Sequence, residues 1–176
     1  DSSISTRLPS ARARRAPEPI ENAGHTTMHP DVLELRAFYA SPLGSVVRRL
    51  LGRRIRARWR SVSGAQLMGL GFAVPYLGAF RGEATRLGAL MPAGQGALAW
   101  PATGNGHSVM VEEAMLPLPD ASIERLLGVH CLEASERTGA LLREMWRVLT
   151  PEGRLLLIVP NRRGVWARMD TTPFGH

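Results

Sequence analysis

The chain has 176 residues, of which 44% are hydrophobic, enough for one buried core and a single domain. Its net charge of +7 lies entirely in residues 1–60, which carry twelve arginines and five acidic residues, while the remaining sequence is balanced. No apolar run reaches the roughly 18 residues of a membrane-spanning helix, so we expect no membrane span, and the single Cys131 excludes an intramolecular disulfide and fits a reducing, cytoplasmic location.

Residues 1–27 are rich in Ser, Pro, Ala and Arg and have almost no apolar periodicity. Such a composition buries too little apolar surface to offset the entropy lost on ordering, so we predict a disordered extension. It lacks the apolar stretch of a secretory signal. We interpret it as sequence upstream of a start at Met28, in preference to a transit peptide, and we place one domain over residues 28–176.

A basic helix is predicted at residues 46–60, where apolar residues recur every four positions on a segment otherwise rich in arginine. These apolar residues are Val47, Leu51, Ile55 and Trp59. One interpretation is a helix that binds nucleic acid or an anionic membrane. We favour a core-packing helix with a solvated arginine face, because the rest of the chain has no basic surplus to extend such a footprint. Nucleic acid is therefore not the expected partner.

Five short apolar runs follow, separated by helical or turn sequence. They occupy residues 65–70, 86–91, 108–113, 125–130 and 153–160. Runs that are apolar on both faces suit strands of a parallel sheet, and alternation with helices predicts a doubly wound α/β sheet in three α/β/α layers. A helix begins near Pro75, whereas the link between the second and third runs is too broken by Gly and Pro for a full helix.

The segment 135–149 predicts the last helix of the domain. Its inner face should be formed by its apolar residues, which are Leu141 or Leu142, Met145, Trp146, Val148 and Leu149. The helix should end in a turn at residues 150–153, Thr-Pro-Glu-Gly, because Pro occupies its second place and Gly its fourth.

Two stretches carry a family resemblance, LPLPDASIERLLGVHCLE at 116–133 and LLREMWRVLTPEGRLLLIVPN at 141–161. In order and spacing they resemble class I S-adenosylmethionine-dependent methyltransferases of the small methyltransferase-domain type. The resemblance implies a Rossmann-like fold, S-adenosyl-L-methionine as cofactor, and methyl transfer to an acceptor that we expect to be a small molecule.

The resemblance also implies that LMGLGFAVP, residues 67–75, is the first-strand cofactor loop. The family pattern is an acidic residue followed by Gly-x-Gly-x-Gly. Here Gly69 stands in the acidic place and Gly71 at the first glycine, while Ala73 and Pro75 replace the other two. We expect Gly69, Leu70 and Gly71 to contact the cofactor, with Gly71 giving the methionine moiety access to the backbone.

Two further cofactor anchors are implied at strand ends. A carboxylate normally ends the second strand and holds the ribose hydroxyls, but Met91 and Pro92 stand there. We expect both to contact the cofactor, because Met91 can pack against the adenine or ribose; either Gln95 substitutes for the carboxylate or affinity is lower. After the third strand, Glu112 or Glu113 is expected near the adenine amino group. The alternative is that both carboxylates are simply solvated at the end of the strand.

His130 ends the fourth strand, where such enzymes line the reacting centre, and we expect it to contact the cofactor as well. With Glu133 it could serve as a general base, and we name both as candidate catalytic residues; the alternative is a histidine packed on Trp146 or capping the strand. We expect no metal, since the five histidines show no metal-helix spacing. The polar and aromatic residues of the C-terminal segment are predicted over the acceptor pocket: Asn161, Arg162, Arg163 and Trp166.

Members of this family continue with two more strands, so we expect a domain that lacks the last two strands and leaves the fifth strand as an apolar edge. A fragment, or a homodimer through that edge, would account for it. The favoured function is methyl transfer. The alternative is a catalytically inactive binding or scaffold protein, which the replaced cofactor positions suggest. A dinucleotide oxidoreductase is disfavoured because Val74 breaks the Gly-x-Gly-x-x-Gly spacing.

Overall fold

The computed structural model describes residues 31–161. The predicted extension at 1–27 and the tail residues Arg162, Arg163 and Trp166 lie outside the described residues. The elements are, in chain order, α1 Val32–Ala40, α2 Pro42–Arg58, β1 Gln66–Gly71, α3 Val74–Leu77 with a 3-10 turn Gly78–Phe80, β2 Arg86–Pro92, β3 Ser108–Val111, β4 Ile123–Val129, α4 Thr138–Val148 and β5 Leu149–Ile158.

The five strands form one parallel sheet in the order β3-β2-β1-β4-β5. Each of the five apolar runs supplies one of these strands. Leu67 and Leu70 of β1 lie in two separate buried clusters, and both sides of the sheet are therefore packed. This arrangement confirms the predicted doubly wound, Rossmann-like fold, whose strand order reverses at β1.

The corner between α1 and α2 is fixed by local hydrogen bonds. Asp31 caps α1 by accepting from the backbone N–H of Glu34 at 2.8 Å, and the Glu34 carboxylate accepts from Asp31 N–H in return. Ser41 caps α2, accepting from Gly44 N–H at 3.0 Å while its hydroxyl donates to the Phe38 carbonyl at 2.6 Å. A side chain at Gly44 would overlap that carbonyl, so the glycine permits the close corner.

The arginine-rich helix α2 begins at Pro42 and ends at Arg58. Ile55 and the following Trp59 are buried, whereas Val47 and Leu51 are half-buried. The predicted apolar stripe therefore faces the core. Arg56 pairs with Glu83 through both guanidinium nitrogens and lies over the Phe80 ring at 5.1 Å. No helix within residues 31–161 has both the length and the apolar character that crossing a bilayer requires.

The prediction that Trp146 belongs to the inner face of the last helix is wrong. Its side chain is 82% exposed, and Leu142 is also exposed. Leu141, Met145 and Val148 face the sheet instead, at the i, i+4, i+7 spacing of one helical face. Trp146 is one residue further along, about 100° around the helix. It therefore does not pack against the buried His130.

The predicted turn at 150–153 is also wrong, because β5 begins directly after α4 at Leu149. Leu149 pairs with Ile123, and the next pair joins Arg154 to Arg125. Residues 150–153 therefore lie opposite a single residue of β4 and form a bulge. The Pro and Gly that suggest a turn interrupt the ladder without ending the strand.

Candidate functional site

The candidate site lies at the carboxyl ends of β1 and β4, where the strand order reverses. Ligands of open parallel sheets bind outside this edge. Gly71 ends β1 with φ +74, and the next residue, Phe72, donates its N–H to the carbonyl of Val129 at 2.8 Å. His130 leaves β4 with φ +52, a left-handed conformation that is uncommon for a residue with a side chain.

Gly71 stands where the sequence predicts a bare backbone turn off the central strand. A Cβ atom there would lie 2.4 Å from the Val129 carbonyl oxygen and 2.8 Å from Cys131 Cβ. Both the positive φ and the close approach of β4 therefore require glycine at this position. The glycine is explained by packing within the protein, and by itself it is not evidence of a ligand.

His130 forms the centre of a buried hydrogen-bond network. Its Nδ1 lies 2.6 Å from Glu133 Oε1, and its Nε2 lies 2.9 Å from the Tyr39 hydroxyl. The side chains of His130 and Glu133 are 4% and 10% exposed. The structure thus brings together the two predicted catalytic residues and adds Tyr39, which the sequence analysis does not single out.

The surrounding residues hold this network in place. The Tyr39 ring stacks on Phe72 with 5.4 Å between ring centroids. The side-chain amide of Gln95 donates to the His130 carbonyl at 2.6 Å, and the His130 N–H donates to the Ile158 carbonyl at 3.1 Å. Gln95, considered above as a ribose ligand, thus holds the exit of β4.

Two buried oxygen atoms near the network have no hydrogen-bond partner within residues 31–161. One is Glu133 Oε2. The other is the hydroxyl of Tyr76, a residue whose ring meets the Tyr39 ring edge-on with 6.3 Å between centroids. Burial raises the pKa of the Tyr39 hydroxyl, so it stays protonated. Burial also raises the pKa of the Cys131 thiol to about 12, as expected for a small core residue.

The residues predicted to hold the cofactor at β1 and β2 are buried in the core: Gly69, Leu70, Gly71, Met91 and Pro92. At Gly69 a Cβ would lie 2.6 Å from Ala73 Cβ, so this backbone has no room for the family's acidic side chain. Met91 is 1% exposed, and its sulfur accepts from the Leu98 N–H at 3.0 Å. Its side chain is part of the core and presents no surface to a ribose.

The predicted acids after β3 lie at the rim but have partners. Glu112 Oε1 lies 2.7 Å from the Arg137 guanidinium, and Glu113 Oε1 accepts from the Arg137 backbone N–H at 3.0 Å. Glu112 is exposed and Glu113 is half-buried. Each carboxylate has acceptor capacity left at the rim for one more hydrogen bond.

Comparison with known proteins agrees with this geometry. Residues 71–157 match the family described as "Methyltransferase domain". The [4+2]-cyclase SpnF has the same fold, with a TM-score of 0.55 and 21% identity over 67% of this chain and 46% of its own. No curated protein matches the chain at a significant level.

Two further solved structures share the fold. A Methanococcus maripaludis protein assigned as an S-adenosyl-L-methionine-dependent methyltransferase gives a TM-score of 0.51 and 12% identity, over 72% of this chain and 63% of that one. The second structure is a complex between the Haloferax volcanii Trm112 methyltransferase activator and a protein assigned as a methyltransferase. It gives a TM-score of 0.52 and 21% identity, over 70% of this chain and 57% of that one. The chain thus spans between 46% and 63% of the length of these three structures.

The sheet order and the site at its carboxyl edge define a class I methyltransferase fold. Within that class, residues 71–157 match the methyltransferase-domain family, and this match together with the fold implies S-adenosyl-L-methionine as the cofactor.

The described residues fit this cofactor in part. The glycine turn at Gly71 and the acids after β3 are present, and the exposed Ala93 and Gly94 follow β2 with open space beside Gly94. A carboxylate for the ribose is missing from the end of β2. Among residues 31–161, no three histidine, cysteine or acidic side chains cluster closely enough to hold a metal ion.

Tyr39 is the residue that sequence reasoning missed. It lies in α1, 32 positions before the family match begins at residue 71, so the resemblance does not reach it. The available signal is FYASPLG at 38–44, an aromatic pair followed by a Ser-Pro helix start. That pattern predicts a corner between helices, but it does not indicate which strand end the corner packs against.

Proposed function

We propose that the protein transfers a methyl group from S-adenosyl-L-methionine to a small-molecule acceptor with an N–H or O–H group, and that Glu133 and His130 manage the acceptor's proton. One observation carries the proposal. At the rim of a methyltransferase fold, a buried carboxylate has one oxygen on a histidine and the other without a partner among the described residues.

The unpartnered oxygen supports an acceptor that donates a hydrogen bond. A buried acceptor atom without a partner costs about 1–3 kcal/mol relative to a paired one. An N–H or O–H of the acceptor molecule would pair with Glu133 Oε2 and aim the atom that receives the methyl group. Tyr39 and Phe72, both buried, supply an apolar surrounding that keeps water away.

Different groups would handle the methyl group and the proton. When bound, S-adenosyl-L-methionine supplies an electrophilic methyl group on a sulfur that leaves as a neutral thioether. Glu133 Oε2 takes the proton that the acceptor atom loses as its bond to carbon forms. His130 holds the other carboxylate oxygen through Nδ1 and steadies the Glu133 side chain before and after the transfer. Orientation of the acceptor is the larger contribution, because an in-line displacement depends chiefly on placement.

The cofactor would be held by the turn at Gly71, by the exposed Ala93 and Gly94 after β2, and by the carboxylates of Glu112 and Glu113. These residues follow β1, β2 and β3, the three neighbouring strands at one side of the rim. The absent ribose carboxylate predicts weaker cofactor binding than in family members that have it. A second candidate function, a binding or scaffold protein, is favoured by the burial of Met91.

The experiment is methyl transfer from S-adenosyl-L-methionine labelled in its methyl group to the small molecules of a cell extract, with the full chain. Glu133→Gln keeps the size of the side chain and removes the base, so incorporation should fall about 100-fold or more. The matched control is Glu136→Gln, because Glu136 is exposed and three residues further on. Equal loss in both variants, or no incorporation with the wild type, would count against the proposal.

A further inference from the structure

We propose that the protein has a second ligand site at the amino-terminal edge of the sheet, which binds a small planar organic anion, a ring that carries a carboxylate or a phosphate. The site is a cavity of about 660 Å³, and Arg86, the first residue of β2, is part of its lining. Because the strands are parallel, this edge is opposite to the rim where methyl transfer is proposed. The second site is independent of that function.

The cavity lies beside the start of β2, where β3 does not reach. Pairing between the two strands begins at Ala89 and Ser108, so residues 86–88 have no strand on that side. The Ala89 N–H donates to the carbonyl of His107 at 2.7 Å on this side. Backbone groups alternate along a strand, so the N–H of Leu87 points the same way. Leu87 lines the cavity, and its N–H is a backbone donor for the ligand.

The charged lining of the cavity is cationic. Arg81, Arg86 and His107 line it and are exposed, and no acidic residue is part of the lining. Neither arginine takes part in an ion pair within residues 31–161, although three other arginines there are paired with acids. Guanidinium groups bind carboxylate and phosphate oxygens through paired N–H donors. Two of them beside one cavity, without a carboxylate partner, therefore favour an anionic ligand.

An aromatic ring holds one arginine in place and forms a wall of the cavity. The Arg81 guanidinium carbon lies over the Trp100 ring, 5.3 Å from its centroid. The half-buried Trp100 ring also meets the His107 ring at 6.1 Å between centroids. Met68 and Leu87 add half-buried apolar surface. Apolar and aromatic walls with a few polar groups are typical of small-molecule sites, so the ligand should have a flat apolar body as well as a charge.

A second cavity at the same edge of the sheet, beside β4 and β5, lacks these features. It is lined by two arginines, Arg125 and Arg154, but also by two acids, Glu124 and Glu152, and no aromatic residue lines it. Its formal charges therefore cancel. The comparison assigns the anion to the cavity beside β2.

The test titrates the full chain with phenyl phosphate and with benzoate. Nitrogen-15 NMR follows the indole N–H of Trp100, which is assigned by its loss in Trp100→Phe. At least one probe should bind saturably and shift this signal, and the tighter probe identifies the anionic group. Inorganic phosphate should bind more weakly, and uncharged benzamide should not bind.

Two variants and a matched control locate the charge. Arg81→Gln and Arg86→Gln should each weaken binding of the tighter probe about 10-fold, because each removes a charge-assisted hydrogen bond. Arg143→Gln removes the same charge from an exposed position on α4 and should leave the affinity unchanged. Unchanged affinity in both cavity variants, or binding of neither probe to the wild type, would overturn the proposal.

The remaining outcomes test the ring and the location. Inorganic phosphate that binds as tightly as phenyl phosphate, or benzamide that binds as tightly as benzoate, would contradict a planar anion. Saturating S-adenosylhomocysteine should not displace the probe. Displacement would place the probe at the carboxyl rim and also overturn the proposal. If the chain binds no S-adenosylhomocysteine, the proposed function fails, and the titration with phenyl phosphate and benzoate still decides the cavity beside β2.

Discussion

At the scale of single residues, Gly71 combines two requirements that usually occur separately. Its φ of +74 favours glycine, and the Val129 carbonyl oxygen and Cys131 occupy the place of a side chain. Ala73, which replaces the second glycine of the family pattern, is fully buried beneath Gly69. The first glycine of the loop therefore has a reason internal to the fold, whereas Ala73 is part of the core and Pro75 is half-buried.

Gly71→Ala should consequently destabilise the fold before it affects any ligand. A left-handed alanine and a contact with a backbone oxygen together should cost about 2–4 kcal/mol of the free energy of unfolding. The matched control is Gly94→Ala, which meets no atom within 4 Å and should change stability by less than about 0.5 kcal/mol. Urea unfolding of both variants measures the difference. Equal stability would mean that the turn is misplaced.

At the scale of elements, Arg147 of α4 connects the helix to the loop before β4. Its guanidinium donates to the carbonyls of Leu116 and Leu118 at 2.9 Å each, and it pairs with Asp120 and Glu144. These hydrogen bonds explain physically why the Leu-Pro loop and the Arg-Val-Leu helix end occur together in the sequence. One arginine satisfies the loop's carbonyls and aligns the start of β4.

A pH dependence of stability follows from Glu144. The hydrogen bond from Arg147 lowers the pKa of Glu144 below its ordinary 4.5, and the side chain is 14% exposed. A lowered folded-state pKa stabilises the protein fully above about pH 4.5, and this contribution is lost as the pH falls through the folded value. The wild type should therefore exceed Glu144→Gln in thermal stability at neutral pH, with the gap closing in acid. A gap that stays constant with pH would contradict the assignment.

Most of the secondary-structure elements could be predicted from the sequence, because each strand is a short apolar run that can be recognised locally. All five runs became strands, and the apolar stripe of α2 faces the core. The errors at Trp146 and at 150–153 share a cause. Hydrophobicity and turn chemistry in one sequence do not reveal which face a helix presents, or whether a Pro-Gly pair ends a strand or bulges it. The hydrogen bond between Tyr39 and His130 joins residues that are 91 positions apart in sequence, so no local pattern predicts it.

At the scale of the whole molecule, the described sheet has β5 as one edge and β3 as the other. Leu155 of β5 is exposed, as are Leu142 and Trp146 of α4. A homodimer through this edge stays a prediction. The centre of the sheet, β1 with β4, and the corner of α1 hold the buried network of Tyr39, His130 and Glu133. The chemistry proposed for this protein is concentrated there.

Isothermal titration of the full chain with S-adenosylhomocysteine tests most directly whether this rim is a cofactor site. The account predicts one site per chain, with affinity weakened by the missing carboxylate after β2 but saturable at high micromolar ligand. The wild type and Glu133→Gln should bind equally, since Glu133 is assigned to the acceptor. The absence of heat at high micromolar ligand would contradict the account and favour a scaffold protein.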